Sequence, residues 1–354
     1  MPQFRLAKFI CVAVVLALIG TQVQFGPVTA QDHTGARFPY EAFSDLSRSR
    51  IELEGGVLEV AFSPGSTRLS QQDILAWTRI SAESVVAYFG QMPTRTARLM
   101  FVPVPGQRIR GTTFGYRGAA SRVLFGSDTT AIGLKRDWVL VHELVHHGFP
   151  FIEGRRDWMH EGLATYVEPI ARAQMDLIPV EDVWRQLVAG LPNGQPRSGD
   201  KGLDGTPTWG RTYWGGAMFF LLADVEIRRR TNNEIGLQHV LQLTVAEGGN
   251  ITQVWTVERF NAAGARATGT QVLAQLYNCL KDVPRTIDLP GLWNDLGVSL
   301  VNRQIHFDDN ASLASIRRAI TEPYKAPARQ LQPALAYVSN PASVCSSFPW
   351  INSR

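Results

Sequence analysis

The segment His142-Glu143-Leu144-Val145-His146 carries residue types at a spacing that specifies a chemistry. Residues four apart on a helix share one face, so two imidazole nitrogens can reach a single tetrahedral ion. Glu143 follows His142 by about 100° of helical rotation, which aims its carboxylate beside the ion rather than at it. A general base for a metal-activated water belongs there. The plain alternative is a chance spacing on a solvated helix. Histidine occupies only 7 of the 354 positions, however, and this motif sits among Leu140, Val141, Leu144 and Val145. Two histidines and a carboxylate buried in such a helix without partners would be costly.

A catalytic zinc usually takes three protein ligands and keeps one position for water. The third donor is expected from Trp158-Met159-His160-Glu161-Gly162-Leu163-Ala164-Thr165-Tyr166, a second amphipathic helix that residues 149 to 157 can turn back against the first. His160 and Glu161 point about 100° apart on it, so both cannot face one ion equally well. His147, one turn beyond Glu143, either lines the cleft or is an ordinary histidine near a helix end. Thr165 and Glu168, one and two turns beyond Glu161, either orient a ligand or cover helix surface.

The pairing of these two stretches resembles the gluzincin metallopeptidases, the thermolysin-like group whose third zinc ligand is a glutamate. The downstream half is most similar to the aminopeptidase N and glycyl aminopeptidase families. A second likeness to the glycyl aminopeptidase family lies in Tyr213-Trp214-Gly215-Gly216-Ala217 and the acidic run that ends in Ile227-Arg228-Arg229-Arg230-Thr231. The resemblance implies one zinc ion on His142, His146 and Glu161, with Glu143 as general base and Tyr213 as donor to the oxyanion. It implies hydrolysis of peptide bonds in a peptide or protein substrate. Two features differ from those families. Gly215 stands where a lysine is common. The stretch Gly115 to Arg122, matched to the segment that binds a substrate amine, has no acidic residue, and Arg117 and Arg122 would repel an amine. Endopeptidase and aminopeptidase action therefore both stay open. So do two other functions, a non-catalytic zinc-binding envelope protein and a hydrolase of a cell-wall amide. Arg228 to Arg230 reads as a solvated helix end that complements the dipole.

The elements that must position this chemistry follow an α+β order: a thermolysin-like zincin core with a small N-terminal sheet lobe, then a mainly helical lobe. Val57 to Phe62, Arg98 to Val104 and Arg122 to Phe125 read as strands. Gln71 to Phe89 carries helical spacing of apolar residues, as does the zinc helix that Gly148 and Pro150 end. A helix from about Met159 to Arg172 follows, with others at Tyr213 to Arg230, Ile235 to Val245, Ile251 to Ala263 and Gly269 to Leu280. The glycine- and proline-loaded connection from Ala189 to Arg211 is expected to be a functional flap or disordered. The domain reading is 1–30 signal peptide, 31–50 linker, 51–325 peptidase domain (sheet lobe 51–133, helical lobe 134–325) and 326–354 a loosely packed tail.

Arg5 and Lys8 precede an apolar run from Phe9 to Gly20, and Val28-Thr29-Ala30 forms a small-residue cleavage site. That run is short of the roughly 20 residues that span a bilayer. A cleaved signal peptide and a periplasmic or secreted protein without stable membrane insertion are expected, an uncleaved anchor being the alternative. Without residues 1–30 the chain carries 33 basic and 31 acidic side chains, a formal charge of +2. So small an excess argues against a nucleic-acid partner. Cys279 and Cys345 remain as an even pair that an oxidising compartment would let join. Oligomeric state is not legible.

Overall fold

A computed structural model describes residues 37–154, 156–323 and 345–352. The expected signal peptide and most of the expected tail lie outside the described residues. Helix α1 (Tyr40–Asp45) leads into strands β1 (Arg48–Leu53) and β2 (Gly56–Phe62). Helix α2 (Gln71–Phe89) follows, then β3 (Thr96–Val104), β4 (Ile109–Phe114) and β5 (Ala119–Gly126). The five strands form one sheet in the order β1-β2-β3-β5-β4. β2, β3 and β5 run parallel, while β1 and β4 are antiparallel edges.

Strand alternation divides the sheet between two cores. Ala97, Leu99, Phe101, Val123 and Phe125 face the main core with α2, whose start is fixed by a reciprocal cap between Ser70 and Asp73. Met100, Val102, Phe114 and Ala120 face the other way, onto Phe38, Tyr40 and Phe43. That second core corrects the linker expected over 31–50. Phe38, Tyr40 and Phe43 are spaced two and three apart, too short a run to fix a helical or strand period, yet Phe43 is fully buried.

After the sheet come α3 (Ala131–Arg136), α4 (Val139–His146) and α5 (Asp157–Ala173). Helices α6 (Val180–Gly190), α7 (Gly216–Arg230), α8 (Leu237–Ala246), α9 (Val257–Thr268), α10 (Val272–Leu280), α11 (Leu289–Leu296) and α12 (Ala314–Thr321) complete the helical lobe. Two short strands, β6 (Phe151–Ile152) and β7 (Val254–Trp255), pair in parallel, and β8 (Val298–Val301) and β9 (Gln304–Phe307) form a hairpin. Residues 254–255 are thus strand where a helix from Ile251 was expected, with Thr256 capping α9 after them. No described helix is long and apolar enough to cross a membrane.

The connection 189–211 is neither disordered nor a loose flap. Arg211 pairs with Asp200 in a buried ion bridge of 2.9 Å and donates to the Gly194 carbonyl. Asp204 accepts hydrogen bonds from Trp158 at 2.8 Å and Tyr277 at 2.6 Å. Polar anchors of this kind hold an irregular backbone that no apolar periodicity announces. The end of the chain is likewise fastened: Cys345 is bonded to Cys279, Trp350 donates to Asp295, and Phe348 and Trp350 are buried. The helix end Arg228 to Arg230 is solvated only in part: Arg228 is buried, Arg230 is half-buried and Arg229 is exposed. Arg228 binds Asp224, while Arg229 and Arg230 clamp Glu226, a carboxylate with no exposure at all. A buried carboxylate needs such partners.

Candidate metal centre

α4 begins where Asp137 takes an extended backbone after α3 and accepts the Leu140 N–H, which sets the rotation of the histidines that follow. His142 and His146 then sit on the face that meets α5. The approach of α5 is secured on its other side by a glycine contact with α7. A Cβ on Gly162 would lie 2.3 Å from the Gly216 Cα, and one on Gly216 would lie 2.1 Å from the Trp158 carbonyl oxygen. Only glycines allow helices so close.

With α5 fixed there, Glu161 Oε2 lies 3.2 Å from His142 Nε2 and 3.6 Å from His146 Nε2. The three donor atoms all fall within 4.8 Å of one another, and all three residues are buried. Burial alone would raise the Glu161 pKa, but His146 and His142 outweigh it and hold the carboxyl well below its ordinary range. Two imidazoles and one carboxylate in a buried pocket make a donor set that suits zinc. His160 takes no part. Its ring packs against Phe149 and Phe151 and bonds the Pro150 carbonyl, and burial, ahead of the His146 charge, pushes its pKa down to about 3.

Glu143 leaves the ion cluster and turns toward the sheet. Thr113 Oγ1 donates to its Oε2 at 2.7 Å, and a Cβ on Gly111 would come within 2.2 Å of its Cγ. The strand that reaches the base is therefore β4, one step earlier in the chain than the expected stretch Gly115 to Arg122. Arg117 and Arg122 do not guard the cleft either. Arg117 lies over the Tyr40 ring and pairs with Glu41, and Arg122 stacks on Phe114 at the α1 face. Burial, partly offset by His146 and His142, raises the Glu143 pKa.

His147 neither lines the cleft nor stands exposed. It is buried, its Nε2 is 2.8 Å from Ser121 Oγ, and burial, then the His146 charge, brings its pKa down to about 3. Glu168 is buried in an ion pair with Arg172 at 2.7 Å and is near enough to His142 to feel its charge. Thr165 is half-buried. Tyr213 lies in a π-helical turn, Gly210–Gly215, that opens α7, with its ring stacked at 6.5 Å from the His142 ring. A mid-length cavity of about 170 Å³ lies beside this turn, lined by Asp157, Trp158, Leu203, Pro207 and Thr212. The exposed Trp138 and Trp209 contact the His142 and Tyr213 rings. Sequence reasoning missed Gly111, Thr113, Ser121 and both tryptophans, because no motif joins residues that only a strand pairing or a loop brings together.

No protein-family model matches the chain. No curated protein matches it either. Solved structures do. An aminopeptidase N family protein from Idiomarina loihiensis superposes with a TM-score of 0.54 at 14% identity, over 72% of this chain and 49% of that one. The chain shares its fold with that protein. An M1 zinc metallopeptidase from Deinococcus radiodurans gives a TM-score of 0.45 at 14% identity, covering 67% of this chain and 52% of that one. Legionella pneumophila aminopeptidase A in complex with aspartic acid gives 0.47 at 15%, covering 68% and 28%. The chain spans about half the length of the first two solved proteins or less. Its α+β architecture, with the small sheet before α4 and the helical lobe after it, agrees with the sequence-based expectation.

Proposed function

We propose that this chain is a zinc-dependent metallopeptidase that hydrolyses peptide bonds, with His142, His146 and Glu161 holding one zinc ion. The observation that carries this is the convergence of those three buried donors beside a second buried carboxylate, Glu143, turned aside from them. A bound zinc there supplies Lewis acidity, lowering the pKa of a water toward about 7 and polarising a carbonyl. Glu143 accepts the proton of the attacking water and passes it to the leaving amine. Burial raises its pKa, and a carboxylate shifted upward takes a proton from water more readily than an ordinary one. Tyr213 donates to the developing oxyanion, a bond that strengthens as charge grows and is worth about 3 kcal/mol in comparable sites.

Peptide is favoured over other amides by two features. β4 is the sheet edge beside Glu143, where an extended chain can pair with backbone groups. A solved structure that shares the fold is of an aminopeptidase N family protein. The exposed rings of Trp138 and Trp209, which lie against His142 and Tyr213, offer apolar surface to substrate side chains. We also propose that the chain is exported, with cleavage near Ala30. The Cys279–Cys345 bond supports an oxidising compartment.

The test is to incubate the mature protein with denatured proteins and peptide libraries, with chelator and after zinc is restored, and to map the cuts by mass spectrometry. Cleavage that a chelator stops and zinc restores is expected, and the positions of the cuts distinguish endopeptidase from aminopeptidase action. A zinc-loaded protein that cleaves only wall fragments, or nothing, contradicts the proposal. N-terminal sequencing of the exported form checks the processing site.

A further inference from the structure

Behind the zinc helix runs a row of neutral hydrogen-bonding groups that ends on Glu143. His147 Nε2 lies 2.8 Å from Ser121 Oγ, which lies 2.9 Å from Thr113 Oγ1, which donates to Glu143 Oε2 at 2.7 Å. Thr113 Oγ1 is also 3.0 Å from the Glu143 carbonyl oxygen. These groups come from three elements: β4, β5 and the residue that follows α4. A threonine hydroxyl has one proton and two lone pairs. Once it donates to the carboxylate, it can accept from Ser121, which in turn can accept from the His147 Nε2–H. The row then has a single direction, toward Glu143, and each donor finds its acceptor.

Gly111 adds a second constraint. It sits two residues before Thr113 and so on the same face of β4. A Cβ there would fall 2.6 Å from both Glu143 Cδ and Oε1. One strand thus clears the space for the carboxylate and grips one of its oxygens.

We propose that Gly111 and Thr113, backed by Ser121 and His147, are positioning residues that fix Glu143 Oε2 and leave Oε1 to work on the attacking water. This rests on the peptidase reading above. A merely structural role, in which the hydroxyls only satisfy buried polar groups between strand and helix, makes different predictions.

The experiment compares wild type, Thr113→Val, Thr113→Ser and Ser121→Ala as mature, zinc-loaded proteins on one peptide that wild type cleaves. Thr113→Val keeps the shape and removes the bond. It should lower kcat by about tenfold to a hundredfold, leave KM within about twofold, and keep the zinc content. Thr113→Ser should restore kcat to within about threefold of wild type, and Ser121→Ala should show a smaller loss than Thr113→Val. Wild-type kcat in Thr113→Val overturns the proposal. So does an equal loss in Thr113→Ser, or a loss that only tracks missing zinc. If Thr113→Val does not fold, Ser121→Ala carries the test, and wild-type kcat there overturns it. A crystal structure of metal-free Thr113→Val gives a readout independent of turnover. The Glu143 carboxylate should leave its wild-type orientation, and a retained orientation contradicts the proposal even where wild type cleaves no peptide and the peptidase reading has failed.

Discussion

Glu143 and Glu161 are both buried carboxylates, on helices that pack against each other, and their surroundings drive them in opposite directions. Glu161 lies between two imidazoles that outweigh the effect of burial and hold its carboxyl well below the ordinary range. Glu143 is raised, with burial the largest influence and a threonine hydroxyl as its direct partner on the sheet side. The α5 flank of α4 is thus built for charge and the β4 flank for neutral hydrogen bonds. Under the proposed function, the carboxylate held ionised suits a ligand and the one shifted upward suits a base. α4 shows one face to α5 and the other to β4, and so meets two different environments.

The largest expected effect breaks the β4 side of that comparison. Glu143→Gln keeps the shape and the Thr113 bond but cannot take a proton, so kcat should fall by about a thousandfold or more while bound zinc stays at one per chain. Steady-state kinetics paired with metal analysis checks this, and a variant with full turnover removes Glu143 as the base. A smaller effect tests the α5 side. Gly162→Ala forces a methyl against the Gly216 backbone, which cannot yield as a side chain does. A loss of about 1–3 kcal/mol is expected by urea unfolding, and an unchanged stability means that the α5–α7 contact does not hold Glu161 in place.

The smallest effect concerns pH. Burial holds His147 and His160 near 3, against about 6.5 in an unfolded chain. Both pKa values are depressed in the folded state, so their contribution is full above about 6.5 and is lost as pH falls toward 3, where the unfolded chain binds the extra protons. His160→Phe removes one of these protons. Between pH 6 and 4 its stability should fall less steeply than that of wild type, by at most about 1.4 kcal/mol per pH unit. Parallel curves from denaturant titrations at matched metal content would mean that His160 is not held neutral.

The α5 flank was largely legible in the sequence, because it is written in two short stretches whose helical spacing fixes which side chains share a face. His142, His146 and Glu161 meet as that spacing and the family likeness implied, and Gln71 to Phe89 is a helix over its whole expected length. The β4 flank was not legible. Thr113 and Ser121 face each other only because β4 and β5 pair antiparallel in one register, and a hydroxyl on a strand has no signature of its own. The same holds for the ion pairs of Arg228 to Arg230, because the helix pattern gives no sign that Asp224 and Glu226 are buried beneath them. Local periodicity is carried by neighbours in the chain, whereas pairing across a sheet or a buried ion bridge is a property of the assembled fold.

Metal analysis of purified wild type beside Glu161→Ala tests the central claim most directly. One zinc per chain in wild type and less than about a tenth of that in the variant, with both folded by circular dichroism, is the predicted result. Zinc retained in Glu161→Ala, or a folded wild type that takes up none when zinc is supplied, contradicts it.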